Sequence, residues 1–118
     1  MKSRLSIQDR TKRFAIRVIK ACDFLNNQPG VCRTLSTQLL RSGCSIGANA
    51  HEAIHASSNA DFIHRLSISL REAYETKYWI EVLIESGKVK KERFEPLLNE
   101  VIEIGKILNV SIQKLKAK

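Results

Sequence analysis

The spacing of apolar residues constrains this chain more than any other feature, because it recurs every three or four residues through four long segments. Such spacing places apolar side chains on one face of a helix. The first segment, residues 7–26, ends in the run Asn26-Asn27-Gln28-Pro29-Gly30, which is typical of a turn. We therefore predict a first amphipathic helix over residues 7–26, with the core stripe Ile7, Phe14, Val18, Ala21 and Leu25.

The second segment, about residues 35–53, combines a helical stripe with an unusual middle. Gly43 and Gly47 lie one turn apart among other small residues. Each interior glycine costs a helix about 1 kcal/mol relative to alanine. The segment is therefore either a weak, kinked helix or one whose small residues let a neighbouring helix approach closely, and we favour close packing. The stripe is Leu35, Leu39, Ile46 and Ala53.

The third segment, residues 59–86, has the clearest boundaries. Ser58 followed by Asp61 resembles a capping box with aspartate in place of glutamate, and Gly87 is a common stop for a helix. The core stripe of this segment is Phe62, Leu66, Ala73, Ile80 and Ile84.

Two further flanks of the third segment also carry apolar residues. A helix that is apolar on several sides is normally buried on several sides, and a bundle of four helices cannot cover them all. We therefore expect another subunit to contribute a surface. The residues concerned are Ile63, Leu70 and Tyr74 on one flank and Ile68, Trp79 and Val82 on the other.

The fourth segment, residues 91–116, again has a helical stripe, and we expect Pro96 in its first turns or at a kink. Four amphipathic segments joined by short connections predict an all-α protein, with one domain over residues 1–118 folded as an antiparallel up-and-down four-helix bundle. The stripe of the fourth segment is Leu97, Val101, Ile104, Leu108, Ile112 and Leu115.

The charge balance indicates an anionic partner. The 118 residues include 20 Lys and Arg against 12 Asp and Glu, a formal net charge of +8. Such a surplus attracts polyanions through counterion release, so nucleic acid is the leading expectation and an acidic protein bound by a scaffold is the alternative. One face of the first helix is either a phosphate-binding ridge or merely a solvated surface, and it carries Arg10, Arg13, Arg17 and Lys20.

Targeting and redox features are few. No apolar run approaches the roughly 20 residues of a membrane span, and the first ten residues lack the apolar middle of a secretory signal. We therefore expect a cytoplasmic protein without membrane contact. Cys22, Cys32 and Cys44 form no C-x-x-C pair, which argues against a disulfide framework or zinc knuckle and predicts free thiols that pack as small hydrophobes.

The sequence His51-Glu52-Ala53-Ile54-His55 matches the H-E-x-x-H pattern of zinc proteases, in which both histidines bind metal and the glutamate acts as general base. A third ligand is required, and Asp61 or His64 are the candidates. A chain committed to four helices leaves no substrate-binding sheet. Half of a di-iron motif is also present, but its second Glu-x-x-His is missing. We therefore expect that the protein is not an enzyme and binds no metal or cofactor, and a zinc hydrolase is a distant alternative.

Two motifs carry a family resemblance. Residues 38–53 contain Arg41, Ser45-Ile46, Ala48-Asn49 and Glu52 in that order, and residues 61–87 continue the match. This pattern resembles the bacterial four-helix-bundle proteins first noted in intervening sequences of large-subunit ribosomal RNA genes. The chain departs from the family pattern at His51 and Ala53, so the second helix is expected to run on further.

The resemblance implies a ring-shaped homo-oligomer of five subunits. A relative in that family, the accessory variability determinant of diversity-generating retroelements, pairs such a ring with a reverse transcriptase and binds nucleic acid. By analogy, a protein partner of this kind is expected here. Ile16 and Ile19 point away from the core stripe of the first helix, so we expect the subunit contact to contain Ile16, Ile19, Trp79 and Val82.

The polar residues of the two motifs have two interpretations. They either line a surface for nucleic acid or a partner, or form a structural network in which Arg41 pairs with a carboxylate and Asn49 bonds to a helix end. We favour the structural interpretation. The set is Arg41, Asn49, Glu52, Glu72 and Glu75.

Overall fold

The computed structural model describes residues 5–118, and this part of the chain contains four α-helices and no strand. They are α1 (Ile7–Asn26), α2 (Cys32–Glu52), α3 (Asn59–Glu85) and α4 (Lys91–Lys116). The predicted all-α class is confirmed. None of the described helices is long and apolar enough to cross a membrane.

Helix ends follow side-chain chemistry where the sequence supplies it. The hydroxyl of Ser6 accepts from the N–H of Asp9 at 3.0 Å at the start of α1. At the start of α3, the hydroxyl of Ser58 accepts from the N–H of Asp61 at 3.1 Å, and the Asp61 carboxylate accepts from the N–H of Ser57 at 3.1 Å. The predicted Ser58 cap is therefore confirmed, whereas the Asp61 carboxylate accepts from Ser57, one residue before the position that a capping box uses. The hydroxyls of Ser6 and Ser58 each satisfy a backbone N–H that a helix start leaves free.

The boundaries of α2 differ from the prediction. The helix begins three residues earlier, at Cys32, because this side chain is buried in the core and extends the apolar stripe. It ends at Glu52, and the chain then tightens into a 3-10 turn, Ala53–His55, that keeps Ala53 buried. The helical path thus continues past Glu52 as expected, but as a 3-10 turn and not as α-helix. Such a turn is common at helix ends.

Neighbouring helices run antiparallel and the bundle closes between α4 and α1. The start of α1 meets the end of α2, where Gln8 Nε2 donates to the carbonyl of Ala50 at 3.2 Å. The end of α1 meets the start of α2, where the Ser36 hydroxyl lies 3.5 Å from the carbonyl oxygen of Cys22. Among residues 5–118, no Cα atom of α1 comes within 8 Å of a Cα atom of α3, so these two helices occupy diagonal corners of the bundle.

The core consists of the predicted stripes, mostly confirmed as fully buried. Ile7, Ala21, Leu35, Phe62, Ile84 and Leu115 are the stripe members that lie at its partly buried edge. The expectation that α3 leaves its extra flanks uncovered is only partly correct: Ile63, Leu70 and Trp79 also pack against the core of their own chain. Tyr74 and Tyr78 remain largely exposed.

The small residues of α2 allow the close packing that the sequence predicts. A Cβ added at Gly43 would lie 2.8 Å from both γ-carbons of Val18, and one added at Gly47 would lie 3.2 Å from the carbonyl oxygen of Thr11. Because α1 occupies this space, the helix-propensity cost of each glycine is offset by contact with α1.

A set of buried hydroxyls fills the same region and was not predicted. The Ser69 hydroxyl donates to the carbonyl of Ile46 at 2.7 Å, and the hydroxyls of Thr76 and Ser42 lie 2.9 Å apart. The Thr11 hydroxyl donates to the carbonyl of Ile7 at 2.8 Å. Each buried hydroxyl therefore has a partner, as low-dielectric interiors require.

One ion pair joins α1 to α4 across their contact. Arg10 Nε donates to Glu100 Oε2 at 2.8 Å, and Arg10 Nη2 donates to Glu100 Oε1 at 2.9 Å. This bidentate geometry is the strongest that arginine forms with a carboxylate. The hydrogen bonds from Arg10 lower the pKa of Glu100, and they raise the pKa of Arg10.

We predict that Gly43→Ala destabilises the protein. The added methyl overlaps the rigid, buried side chain of Val18, and overpacking costs about 1–3 kcal/mol, against a gain of about 1 kcal/mol in helix propensity. The matched control is Gly105→Ala, whose Cβ would meet only Tyr74 Cε1 at 4.0 Å. This change should stabilise by up to about 1 kcal/mol. Urea unfolding at one protein concentration tests both, and equal effects of the two changes would contradict close packing.

We predict that Glu100→Gln destabilises the protein near neutral pH and flattens the acid side of its profile of stability against pH. Because the native pKa of Glu100 is lowered, its charge stabilises the fold above the ordinary glutamate pKa of about 4.3, and this contribution disappears as pH falls through the lower native value. The variant should lose about 1 kcal/mol near neutral pH and converge with the wild type in acid. Glu85→Gln, at an exposed carboxylate without an ion pair within residues 5–118, is the control. A difference in the free energy of unfolding between Glu100→Gln and the wild type that persists at low pH would contradict a stabilising charge on Glu100.

Candidate nucleic-acid interface

The four cations of α1 lie on successive turns of one helix, but their surroundings differ. Arg10 is occupied by Glu100, so it serves the α1–α4 contact. Arg13 is exposed to solvent. Arg17 and Lys20 are also exposed, and both line a cleft between α1 and the first turns of α4. The structure therefore brings together only two of the four predicted residues at a concave site.

Arg93 adds a third cation to this cleft from α4. The cleft has a volume of about 320 Å³, and no carboxylate of the described residues lines it. Three positive side chains thus surround a depression without a neutralising partner in its wall. The remaining lining residues are apolar: Ala21, Phe24, Phe94, Pro96 and Leu97.

The antiparallel contact between α1 and α4 builds the cleft. Phe24, near the end of α1, meets Phe94 in the first turn of α4, with ring centroids 6.2 Å apart and planes inclined by 53°. Arg93 lies over the ring of Phe24, with its Cζ atom 3.7 Å from the ring centroid. A guanidinium at this distance is held by cation–π attraction. Pro96, inside α4, contributes a side of the cleft within the early turns, as predicted.

Sequence reasoning missed Arg93 because it lies on a different helix from the proposed ridge. The available signal was the antiparallel order of the predicted helices, which sets the end of α1 beside the start of α4. The cations around that start, Lys88, Lys90, Lys91 and Arg93, are close in sequence. Their density there could have pointed to the end of α1.

Arg41, Glu72 and Glu75 form a network between α2 and α3. Arg41 Nη1 donates to Glu72 Oε1 at 3.4 Å, and Nη2 donates to Glu75 Oε2. The indole N–H of Trp79 donates to that same oxygen at 3.0 Å. The carboxylates are thus engaged within the chain, as the structural interpretation expects.

The other two polar motif residues behave differently. Asn49 Nδ2 donates to the carbonyl of Ser45 at 2.8 Å, four residues earlier in α2 and not at a helix end. Glu52 is the exposed last residue of α2. Asn49 therefore bonds within its own helix, whereas Glu52 is outside the network.

The residues expected at a subunit contact lie on two separate surfaces. Ile16 and Ile19 on α1 are 48% and 47% exposed. Trp79 and Val82 on α3 are half-buried, and the Trp79 ring also meets the edge of Tyr78 with centroids 5.1 Å apart. Because α1 and α3 are diagonal within the described chain, the two pairs do not form one patch on a single subunit.

The His51–His55 segment is not a continuous α-helix. The 3-10 turn begins at Ala53, between the two histidines. Nδ1 of His51 lies 2.8 Å from the carbonyl oxygen of Gly47, within hydrogen-bond distance of its own helix. Within residues 5–118, no group of three or more His, Cys, Asp or Glu side chains is placed to hold a metal ion. The geometry therefore gives the zinc-hydrolase alternative no support.

The cysteines are free thiols, as expected. Cys22 and Cys32 are buried and Cys44 is half-buried. Burial raises the pKa of Cys22 and of Cys44, which disfavours the reactive thiolate. These thiols therefore belong to the packing of the bundle.

Comparison with known proteins agrees with the fold. A family model for 23S rRNA-intervening sequence proteins matches residues 3–110. A solved structure of a protein of unknown function from the S23 ribosomal protein family of Bacteroides thetaiotaomicron is similar, at 43% identity and a TM-score of 0.84. The match covers 91% of this chain and 98% of that chain. No curated protein matches. The chain belongs to the family of 23S rRNA-intervening sequence proteins.

Proposed function

We propose that this protein is a non-enzymatic, oligomeric helical bundle that binds the backbone of nucleic acid through the α1–α4 cleft. The observation that carries the proposal is the convergence of Arg17, Lys20 and Arg93 around one depression without a lining carboxylate. Arginine and lysine at such a surface replace the counterions that surround phosphates.

The charge of the whole chain supports the same function. A net charge of +8 on 118 residues raises the local concentration of polyanions at the surface. Surface carboxylates are often paired within the chain, as with Arg41 to Glu75 and Lys91 to Glu95. In contrast, Arg17, Lys20 and Arg93 have no ion-pair partner among residues 5–118, and they remain available to an external anion.

Assembly into a ring is the second part of the proposal. Exposed Ile16 and Ile19 on α1 and the partly covered flank of α3 face different directions. Two different patches suit a head-to-tail contact, in which the α1 patch of one subunit meets the α3 patch of the next and repetition closes a ring. Ring closure would place several copies of the cleft on one particle, and multiple copies raise the avidity for a long polyanion.

We predict that neutralising the cleft flattens the salt dependence of RNA binding. The variant carries Arg17→Gln, Lys20→Gln and Arg93→Gln. Each lost phosphate contact should reduce the magnitude of the slope of log K against log salt by about 0.7 to 0.9. The slope of the triple variant should therefore be smaller in magnitude by about 2 to 3. Fluorescence anisotropy with generic single-stranded RNA at several salt concentrations measures this slope.

The matched control removes three positive charges at the other end of α4. Lys106→Gln, Lys114→Gln and Lys116→Gln lie outside the cleft lining. This variant should keep the wild-type slope to within about 1. Equal flattening by both variants would indicate diffuse charge attraction and contradict a defined interface. No binding to RNA, with tight binding to an acidic protein, would favour the scaffold alternative.

We predict that the change Ile16→Glu with Ile19→Glu converts the oligomer to monomer. Charges at the centre of an apolar contact are desolvated without partners. The control is Val110→Glu, since Val110 is equally exposed at 51% but lies on α4. Light scattering at micromolar concentration should give an oligomer for the control and wild type. A wild-type monomer, or an unaltered oligomer in the double variant, would refute this contact.

A further inference from the structure

The stack of Arg93 on Phe24 has a chemistry that phosphate binding alone does not require. Cζ of Arg93 lies over the Phe24 ring at 3.7 Å, so one face of the guanidinium is covered by an aromatic group. Arg93 is nevertheless exposed, and no carboxylate among residues 5–118 pairs with it. The outer face of this planar cation is therefore open to a further planar group.

The floor of the cleft also suits a base better than a phosphate. Phe94 and Leu97 are buried and present apolar surface, with Ala21 and Pro96 beside them. Arg17 and Lys20 supply the charge. A phosphate gains nothing from an apolar wall, whereas a nucleotide brings an anionic group and an aromatic group that would meet different parts of the same cleft.

The size of the cleft limits what can enter. A volume of about 320 Å³ is at the lower end of the range for small-ligand sites. This volume is therefore compatible with one nucleotide. A duplex holds its bases in the stack, and bringing one out costs unpairing energy that a single strand does not require.

We propose that the α1–α4 cleft binds an unpaired nucleotide of single-stranded nucleic acid, with its base stacked on the guanidinium of Arg93 and its phosphates beside Arg17 and Lys20. Stacking of bases on arginine planes and aromatic rings is the usual mode of single-strand binding. This inference rests on the nucleic-acid function proposed above, and it adds the class of substrate: single strands in preference to duplexes.

The test uses the full chain and one pair of conservative variants. Arg93→Lys keeps the positive charge but removes the planar group, and Arg17→Lys makes the same change where only phosphate contact is proposed. The probe is an RNA of about twelve nucleotides that carries 2-aminopurine, offered as a single strand or annealed to its complement. Anisotropy gives the affinities, and quenching of 2-aminopurine fluorescence reports stacking.

We expect the wild type to bind the single strand at least about fivefold more tightly than the duplex and to quench the probe. Arg93→Lys should weaken single-strand binding about tenfold and abolish the quenching, with duplex binding unchanged within about twofold. Arg17→Lys should alter both affinities by no more than about threefold and retain the quenching.

Two other results would overturn the inference in distinguishable ways. Binding of both RNAs with equal affinity, or without quenching, would contradict single-strand recognition and leave the backbone function standing. Failure of both RNAs to bind even at low salt would contradict the proposed function itself. Thermal unfolding of Arg93→Lys identifies a folding defect, and in that case the wild-type preference and quenching alone decide the outcome.

Discussion

The contact between α1 and α4 is the interaction on which the proposed site depends. It is the smallest interface between neighbouring helices in the bundle, and the helices there are held by the bidentate Arg10–Glu100 pair and the meeting of Phe24 with Phe94. At this contact, cations from two helices converge on an apolar depression, and none of the three has an ion-pair partner among residues 5–118. If this contact opened, Arg17 and Arg93 would separate and the cleft would lose its shape.

The opposite side of α1 is constrained much more tightly. Gly43 admits the side chain of Val18 at a distance that leaves no space for a methyl group, and Gly47 admits the backbone of Thr11 at a distance that would make a methyl group a tight contact. This packing fixes the position of α1 on α2. The bundle thus combines one rigid interface, made by small residues, with one smaller interface held by a charge pair and aromatic rings, and the proposed binding surface lies at the smaller one.

Much of the fold could be predicted from the sequence because helix periodicity and end signals are local. The ranges of α1 and α4, the Ser58–Asp61 cap and the close packing at Gly43 all follow from residues near one another. The buried hydroxyls could not be predicted, because serine and threonine are polar and are expected at the surface unless a partner is known. For Ser69 that partner is the carbonyl of Ile46 on another helix.

The site was less predictable for the same reason. Arg10 and Arg17 share a helix face, but Glu100, ninety residues away in sequence, forms hydrogen bonds with Arg10 and only a longer-range attraction with Arg17. Arg93 joins the cleft only through the antiparallel pairing of α1 with α4. The local sequence pattern therefore predicts which helix carries the cations. The packing of α1 against α4 determines which of these cations are available to a ligand.

The most direct test of the account is to locate bound RNA on the protein by photocrosslinking. RNA that contains 4-thiouridine is irradiated with the protein, and the modified peptides are mapped by mass spectrometry. Adducts are expected to concentrate on residues 17–24 of α1 and 91–97 of α4. Adducts spread evenly over the basic surface, or concentrated on α3, would contradict it.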